Sequence, residues 1–280
     1  MKFTKHLSLG FKSYIEAVGF IFKYSLWKYF IIPLILFGII FYTGHRFEAM
    51  SDAANNAKDL GEYSWGVVGW FWLVLKAQFF WLLEFLFLDA TKYLVMIFLS
   101  PLLAILSEKT EEILTGNVYK FNLKQLIIDV KRGVGIAIRM LVAEFGIIFL
   151  IWLPICKLFG VNDFVYELVA LLIGFYFYGF AYIDYINERL RLSIRESWKF
   201  MKKHAGLAIA IGAVYSLFYK IPSLIPTDNK WLDTVLDNFG VLFAPVLAIV
   251  AATIAMHKLV NLNNSKFAQR TEVNETNNTL

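Results

Sequence analysis

Residues 134–153 read VGIAIRMLVAEFGIIFLIWL, and residues 164–183 read FVYELVALLIGFYFYGFAYI. Each stretch has about the twenty largely apolar residues that an α-helix needs to cross a hydrocarbon core of about 30 Å. Only a short turn near residues 160–163 separates them. The two stretches therefore predict an antiparallel helical hairpin in a membrane, and residues 206–221 and 239–256 repeat that arrangement.

The composition of the whole chain agrees with a membrane environment. Of 280 residues, 59% are hydrophobic and 18% are charged, whereas soluble domains are nearer 45–50% apolar and about 25% charged. We predict an all-α integral membrane protein with one helical domain over residues 1–260. The polar tail at 261–280 is predicted to be disordered and cytoplasmic. The one cysteine, Cys156, excludes an intramolecular disulfide framework and a cysteine-based metal site.

Six apolar segments and one amphipathic helix make up the predicted domain. An interfacial helix comes first, because Phe3, Leu7 and Phe11 recur at helical spacing. The membrane segments lie at about 24–43, 65–106, 134–155, 164–186, 205–222 and 239–258.

Two prolines and the length of the segments refine this prediction. The second segment is longer than a membrane is thick, so it must tilt, project into the cytoplasm or break near Ser100-Pro101, where proline removes a backbone donor. Pro33 is a candidate kink in the first segment. Because the two hairpins are short or interrupted by proline, two interpretations stay open: they cross the membrane, or they enter it only in part.

The charges of the loops orient the chain, because basic loops stay on the cytoplasmic side of a membrane. The loop at 44–64 and the one after Lys220 are mainly acidic and are placed outside. Both termini are then cytoplasmic in a multi-pass protein of the inner (plasma) membrane. The basic residues that decide this are Lys120, Lys124, Lys131, Arg132, Arg189, Arg191, Arg195, Lys199, Lys202 and Lys203.

Ionisable residues inside the apolar segments are the candidate functional residues, because a charge in hydrocarbon tends to face a partner or a water-filled cavity. They are Lys28, Lys76, Glu84, Arg139 and Glu144. One interpretation makes them residues of an ion pathway or an anion site. The other has Lys28 and Lys76 extending to the membrane interface and Arg139 paired with Glu144. We favour the second interpretation.

The sequence lacks the motifs of most enzymes and pumps. It has no phosphate-binding loop, zinc-protease motif, nucleophile elbow or dinucleotide fingerprint. The histidines His6, His45, His204 and His257 lie on different segments, so we predict no metal site and no cofactor. Topology and anionic lipid headgroups explain the basic segment 189–203 better than nucleic acid does.

Small residues at four-residue spacing mark the last hairpin. Such spacing permits close contact between helices. Packing within the hairpin is the simpler interpretation, and a homo-oligomer is the other. The spaced pairs are Gly206/Ala210, Ala208/Gly212, Ala248/Ala252 and Ala251/Ala255.

Residues 100–111, SPLLAILSEKTE, resemble a motif of the bacterial CysZ sulfate permeases and the related etoposide-induced membrane proteins. Further landmarks follow in the order of that family, and together they cover roughly residues 10–256. They are KYFIIP at 28–33, Tyr182-Ile183-Asp184-Tyr185, Pro222, Pro245 and AAT at 251–253.

The resemblance implies two long spanning helices followed by two hairpins that partly penetrate the membrane. It implies uptake of sulfate or a related small oxyanion for cysteine synthesis, without ATP hydrolysis and without an enzymatic reaction. The motif residues expected to have structural roles are Pro33, Pro101, Glu108, Lys109, Glu111, Tyr182 and Tyr185. The chain departs from the family at Leu102-Leu103, where Phe-Asn is common, and at 25–28, where a Gly-Leu-Arg-type start is replaced by SLWK.

The departure at 25–28 leaves Lys28 as the one basic residue there. In the interpretation that makes Lys28 an anion site, its ammonium group and the amides of a helix N-terminus hold the dianion. Glu108 and Glu111 are expected to pair with Lys109 or with the basic loops. The alternative function is a non-transporting membrane scaffold or quality-control protein that docks partners through the basic linker at 189–203.

Overall fold

The computed structural model describes residues 2–59, 66–87, 91–117, 123–190, 192–229, 232–233, 235–236 and 239–260. These residues form helices and short connections, and no strand occurs among them, which confirms the predicted all-α fold class. The predicted tail at 261–280 lies outside the described residues.

The helices follow one another with short connections. Within the described ranges, two 3-10 turns, at Leu26–Phe30 and Pro222–Leu224, and a π-helical turn at Ile148–Trp152 interrupt the α-helices. The α-helices are α1 Lys2–Lys23, α2 Ile31–Asp59, α3 Gly66–Phe87, α4 Thr91–Phe98, α5 Ser100–Thr115, α6 Leu123–Ile147, α7 Leu153–Phe159, α8 Asp163–Arg189, α9 Ile194–Lys203, α10 Ala205–Lys220 and α11 Gly240–Leu259.

Five helical stretches of the described chain are long and apolar enough to cross a membrane. The apolar helix Ala205–Phe218 is shorter than these. It coincides with the segment that was predicted at 205–222. The five long stretches are Leu26–Asn56, Gly66–Leu83, Val130–Phe159, Asp163–Arg189 and Leu242–Leu259.

The first predicted segment differs from the helix that forms. Ser25 adopts a left-handed conformation, with φ of 57°, and separates α1 from the following turn. Helix α2 then continues to Asp59, well into the stretch that was predicted as a loop. Pro33 lies in the first turn of α2, where a missing N–H is tolerated. Pro33 therefore stands at the start of this helix instead of kinking its middle.

The long second segment is interrupted at Leu99, close to the predicted break at Ser100-Pro101. Helix α4 ends at Phe98 and α5 begins at Ser100, with Pro101 in its first turn. The amide of Leu99 still donates to the carbonyl of Val95 at 2.8 Å. The amide of Leu103 likewise donates to the carbonyl of Leu99 at 2.8 Å. Proline removes one donor of the helical series here, and these neighbouring hydrogen bonds are kept.

The connection between α7 and α8 shows why the first hairpin turns where it does. Gly160 ends α7 in the left-handed conformation, with φ of 61°, and its amide donates to the carbonyl of Cys156. The Asn162 side chain accepts the amide of Val165 at 2.9 Å and so caps the start of α8. Helices α6 and α8 then pack against each other.

The core of the bundle forms around α10, which packs against α8, α1 and α11. A Cβ added at Gly179 would lie 1.8 Å from the carbonyl oxygen of Ala208, and one added at Gly212 would lie 1.8 Å from that of Phe175. A Cβ at Gly206 would lie 2.4 Å from the carbonyl oxygen of Phe3. The small residues of α10 thus permit close contact with α8 and α1. At Gly206 and Gly212 the close contacts are therefore with helices outside the hairpin, although α10 also packs against α11 within it.

Helix α1 combines a buried face with an exposed apolar one. Tyr14 is buried and donates to the carbonyl of Ile211 on α10 at 2.8 Å. Phe11, from the predicted apolar series, remains exposed, and so do Ile15 and Val18. This exposed face agrees with a helix that lies in the membrane interface.

Candidate functional site

Lys28 lies in the 3-10 turn that precedes α2. Its side chain is exposed and forms no ion pair with any residue that the structure describes. The carbonyl of Lys28 accepts the amide of Ile31 at the start of α2. The amide of Ile31 is therefore already used, whereas the ammonium group of Lys28 is exposed.

Lys76 and Glu84 lie on α3, a helix that packs mainly against α2. The side chain of Lys76 is exposed, which suits a lysine that extends to the membrane interface. The side chain of Glu84 lies outside the described part of the chain.

The predicted pair of Arg139 and Glu144 does not form. Glu144, on α6, is 4% exposed, whereas Arg139 on the same helix is exposed. The Tyr93 hydroxyl, from α4, donates to Oε2 of Glu144, and the Tyr178 hydroxyl, from α8, donates to Oε1 at 3.1 Å. The two positions are five residues apart on a helix and point to different sides of it. Glu144 is held by phenol groups of neighbouring helices.

Glycine and aromatic side chains shape the surroundings of the Glu144 carboxylate. A Cβ added at Gly174 would lie 2.6 Å from Oε1, so only glycine leaves room for the carboxylate at this point of α8. The rings of Tyr93 and Tyr178 lie 4.9 Å apart, and Tyr215 of α10 packs edge-on to Tyr178 at 5.6 Å. Residues of α4 and α8 therefore contact this carboxylate of α6, and a side chain of α10 packs behind them.

A cavity of about 520 Å³ reaches this carboxylate. Glu144 and Tyr178 line its buried part. Glu167 and Lys220, which are exposed and form an ion pair at 3.7 Å, line it as well. The remaining lining is mostly apolar and comprises Phe145, Ile148, Phe164, Tyr166, Leu168, Ala170 and Leu171. The cavity connects an exposed charged pair with a buried acid.

A second polar group is buried where α5, α8 and α11 meet. Arg189 donates from Nε to Oε2 of Glu111 at 2.7 Å and from Nη1 to the Ser107 hydroxyl at 2.9 Å. The Ser107 hydroxyl also lies 3.0 Å from that of Thr253. The side chains of Arg189 and Glu111 are 8% and 1% exposed. This ion pair ties the Glu-Lys-Thr-Glu motif to the end of α8.

Neighbouring charges of that motif lie nearer to the surface. Lys109 pairs with Glu112 at 3.0 Å and not with Glu108 or Glu111. Glu108 is half-buried on the same helix, and Pro101 is exposed at its start. Of the acidic residues in the motif, Glu111 is the one whose side chain is fully buried.

A third polar group joins α6, α8 and α9. Arg132 donates from Nε to Asp184 at 3.1 Å and from Nη1 to the carbonyl of Leu192 at 2.8 Å. The Ser197 hydroxyl donates to the other oxygen of Asp184 at 2.5 Å. Arg132 of α6 therefore binds both α8 and the connection between α8 and α9.

The comparison with known families decides the relationship that the sequence motifs suggested. Residues 13–226 match the family described as sulfate transporter CysZ/etoposide-induced protein 2.4. The chain belongs to this family. Its members are membrane proteins and transporters, which agrees with the absence of enzyme motifs. No curated protein matches the chain.

Within this CysZ/etoposide-induced protein fold, the Tyr-x-x-Tyr segment faces the core of the bundle. Tyr182 is buried and packs edge-on to Tyr215 at 4.9 Å. A Cβ added at Gly133 would lie 2.9 Å from the Tyr185 hydroxyl, so α6 and α8 come close at this point. Both tyrosines position helices, and neither lines the cavity described above.

Two histidines that are distant in sequence meet at the start of α10. A ring nitrogen of His204 lies 3.4 Å from one of His6 on α1. Burial, followed by His6 and the nearby Lys203 and Lys2, lowers the pKa of His204 to about 4. Burial and the same lysines also lower the pKa of His6. Among the described residues, no group of three potential ligands could hold a metal ion.

Sequence reasoning missed the partners of the buried acids. It singled out Glu144 but did not identify Tyr93 or Tyr178 as the residues that bind it. For Glu111 it left Lys109 and the basic loops as alternatives, and Arg189, from the basic segment 189–203, is the partner. A usable signal was present for Tyr93, since its hydroxyl lies within an apolar segment and a buried hydroxyl needs a hydrogen-bond partner.

Proposed function

We propose that the protein is a permease for sulfate or a related small oxyanion that supplies sulfur assimilation and cysteine synthesis. The observation that carries this proposal is membership of the CysZ/etoposide-induced protein family by a chain with several membrane-length helices. The sequence motifs give no source of ATP hydrolysis. Transport would then be driven by the anion gradient or by a coupled ion.

The proposed orientation places both termini in the cytoplasm of the inner (plasma) membrane. Helix α9 supports it, because its exposed residues Arg195, Lys199, Lys202 and Lys203 form a basic surface that suits the cytoplasmic side. Single cysteines introduced in a Cys156→Ser background test this orientation. We expect a cysteine at Asp52 to react with an impermeant reagent in intact cells and one at Lys199 to be protected. The reverse pattern would refute the orientation.

Uptake into liposomes tests the proposed activity directly. Purified protein is reconstituted, and entry of labelled sulfate is compared with entry into empty liposomes. We expect sulfate entry that unlabelled sulfate reduces, and competition by sulfite and other oxyanions would define the selectivity. Flux equal to that of empty liposomes would refute the proposal.

Lys28 is the residue that we propose for anion binding. It is exposed, carries a charge next to the start of a membrane-length helix, and has no ion-pair partner in the described chain. A charge-assisted hydrogen bond contributes about 1.5–3 kcal/mol, so Lys28→Gln should weaken sulfate binding roughly ten- to a hundredfold.

The matched variants separate binding from anchoring. Lys23→Gln removes another exposed lysine from the end of α1 and should leave sulfate affinity unchanged. A lysine that only extends to the interface is replaceable by arginine or glutamine with little effect on transport. Unchanged affinity in a folded Lys28→Gln variant would leave anchoring as the role of Lys28.

A membrane scaffold is the second candidate function, and the basic surface of α9 is the observation that favours it. The Ser193 and Glu196 side chains form a capping box that fixes the start of this helix. Three results together would support the scaffold over the permease. A stable partner purifies with the protein, neutralising Lys199, Lys202 and Lys203 abolishes this co-purification, and the protein gives no sulfate flux.

A further inference from the structure

Helix α1 leaves a strip of apolar side chains exposed beside the bundle. Phe11, Ile15 and Val18 form this strip, while another side of the helix packs against α10 and α11. Helix α1 ends at Lys23, and the membrane-length stretch Leu26–Asn56 begins three residues later. The end of α1 therefore lies where a membrane span starts, at the level of the lipid headgroups.

Contacts between α1 and α10 show that the two helices cross. The carbonyl oxygen of Phe3 lies beside Gly206, and the Tyr14 hydroxyl donates to the carbonyl of Ile211 at 2.8 Å. At 1.5 Å per residue, these contacts span about 16 Å of α1 and about 8 Å of α10. Since α10 is an apolar helix of the bundle, α1 is inclined to it, as a helix along the membrane surface would be.

A basic side of α1 adjoins the apolar strip. Lys5, Ser8 and Lys12 are exposed, and together with Thr4 and Leu9 they line a surface depression of about 400 Å³. At 3.6 residues per turn, the two lysines lie within about 20° of each other around the helix, and the apolar strip lies about 100° away. Two ammonium groups and two hydroxyl groups therefore border exposed apolar surface.

The positive charge of this side is not compensated by the part of the protein that the structure describes. Neither Lys5 nor Lys12 forms an ion pair with a described residue. The one acid of α1, Glu16, binds Lys258 of α11. Uncompensated positive charge beside exposed apolar surface fits a ligand that has an anionic head and hydrocarbon tails.

We propose that Lys5, Ser8 and Lys12 bind the phosphate headgroup of an anionic phospholipid whose acyl chains lie along Phe11 and Ile15. The two lysines are about 10 Å apart along the helix axis, so their flexible side chains can reach one phosphate from both sides. The Ser8 hydroxyl, between them, can donate to a phosphate oxygen. A free phosphate ion would leave the apolar strip uncovered. The bound lipid holds α1 at the membrane surface, whatever the protein transports.

Native mass spectrometry of the full chain in an uncharged detergent tests this site. The protein is titrated with phosphatidylglycerol and, in parallel, with phosphatidylcholine that has the same acyl chains. We expect the wild type to bind phosphatidylglycerol more tightly, because phosphatidylcholine has no net charge. Equal affinity for the two lipids would overturn the proposal.

Variants locate the binding on α1. Lys5→Gln/Lys12→Gln should weaken phosphatidylglycerol binding roughly thirtyfold, about fivefold for each lysine, and should leave phosphatidylcholine binding unchanged. The control Lys23→Gln/Lys157→Gln removes two exposed lysines that do not line the depression, and it should bind as the wild type does. Lys5→Arg/Lys12→Arg keeps both charges and should also retain binding.

The remaining outcomes decide between this lipid and other occupants. Equal losses in the two glutamine variants would mean that net charge alone attracts the lipid, and would overturn the site. Displacement of phosphatidylglycerol by millimolar inorganic phosphate would identify a site for free anions and would overturn the lipid as its occupant. A protein partner that is lost from Lys5→Gln/Lys12→Gln, while lipid affinity stays unchanged, would overturn it as well. Because both lysines are exposed, the single variants Lys5→Gln and Lys12→Gln give the same decision if the double variant fails to fold.

Discussion

Replacing Gly179 by alanine should destabilise the bundle far more than the same change at Gly38. The added methyl group at Gly179 would lie 1.8 Å from the carbonyl oxygen of Ala208 on α10. Ordinary contact begins at 3.4 Å, so α8 and α10 must separate by about 1.6 Å. The atom in the way belongs to the backbone and cannot rotate aside. We therefore expect a loss of about 3 kcal/mol, at the upper end for overpacking.

The control at Gly38 isolates the effect of contact from that of the residue type. Nothing lies within 4 Å of a Cβ added there, in the middle of α2. Alanine is favoured over glycine in a helix by up to about 1 kcal/mol. Gly38→Ala should therefore leave stability unchanged or raise it slightly.

Reversible unfolding in mixed micelles, followed by tryptophan fluorescence, measures both variants. Gly212→Ala meets the carbonyl oxygen of Phe175 at 1.8 Å and should resemble Gly179→Ala. The same separation of helices relieves both clashes, so the double variant should cost less than the sum of the two. Equal stability of Gly179→Ala and Gly38→Ala would refute the close contact of α8 and α10.

Two further predictions concern the buried charges and the histidine pair. Glu111→Ala leaves the buried Arg189 guanidinium without its carboxylate and should lower the free energy of unfolding by about 3–5 kcal/mol. The control Lys109→Ala breaks an exposed pair and should lower it by under about 1 kcal/mol. Recovery of stability on adding Arg189→Met to Glu111→Ala would confirm that the unpaired charge is the cause. Because the pKa values of His204 and His6 are lowered, the unfolded chain takes up protons first as the pH falls below 6.5. The unfolding free energy should then fall by about 1–2 kcal/mol towards pH 4 and stay constant above pH 6.5. His204→Gln should flatten this profile, and an unchanged slope would contradict the assignment.

Local sequence determined the helical class of the protein and several of its boundaries. Runs of apolar residues have no alternative to helices in a bilayer, since each backbone polar group must be satisfied within its own segment. The interruption next to Pro101 and the turn at Gly160 follow from the residue at that position. The family motif around residues 100–111 was likewise readable without a structure.

Other boundaries depended on neighbouring helices. The acidic stretch after Thr43 predicted a loop, but α2 continues through it to Asp59. Helix α2 packs along α3, and such contacts stabilise a helix beyond what its local preferences decide. The small residues of α10 carried a correct signal for close packing, yet the sequence could not say that α8 and α1 are their partners.

The partners of the buried charges were decided by tertiary structure alone. Glu144 binds Tyr93, 51 residues away in sequence, and Glu111 binds Arg189, 78 residues away. Hydrophobic periodicity fixes which face of a helix is buried, because it depends on positions a few residues apart. The partner of a buried carboxylate depends on which helices pack together and on how they are shifted along their axes. The spacing of residues within one helix determines neither of these. The sequence therefore identified the acids, and only the packing of four helices placed Glu144 among phenol groups beside a cavity.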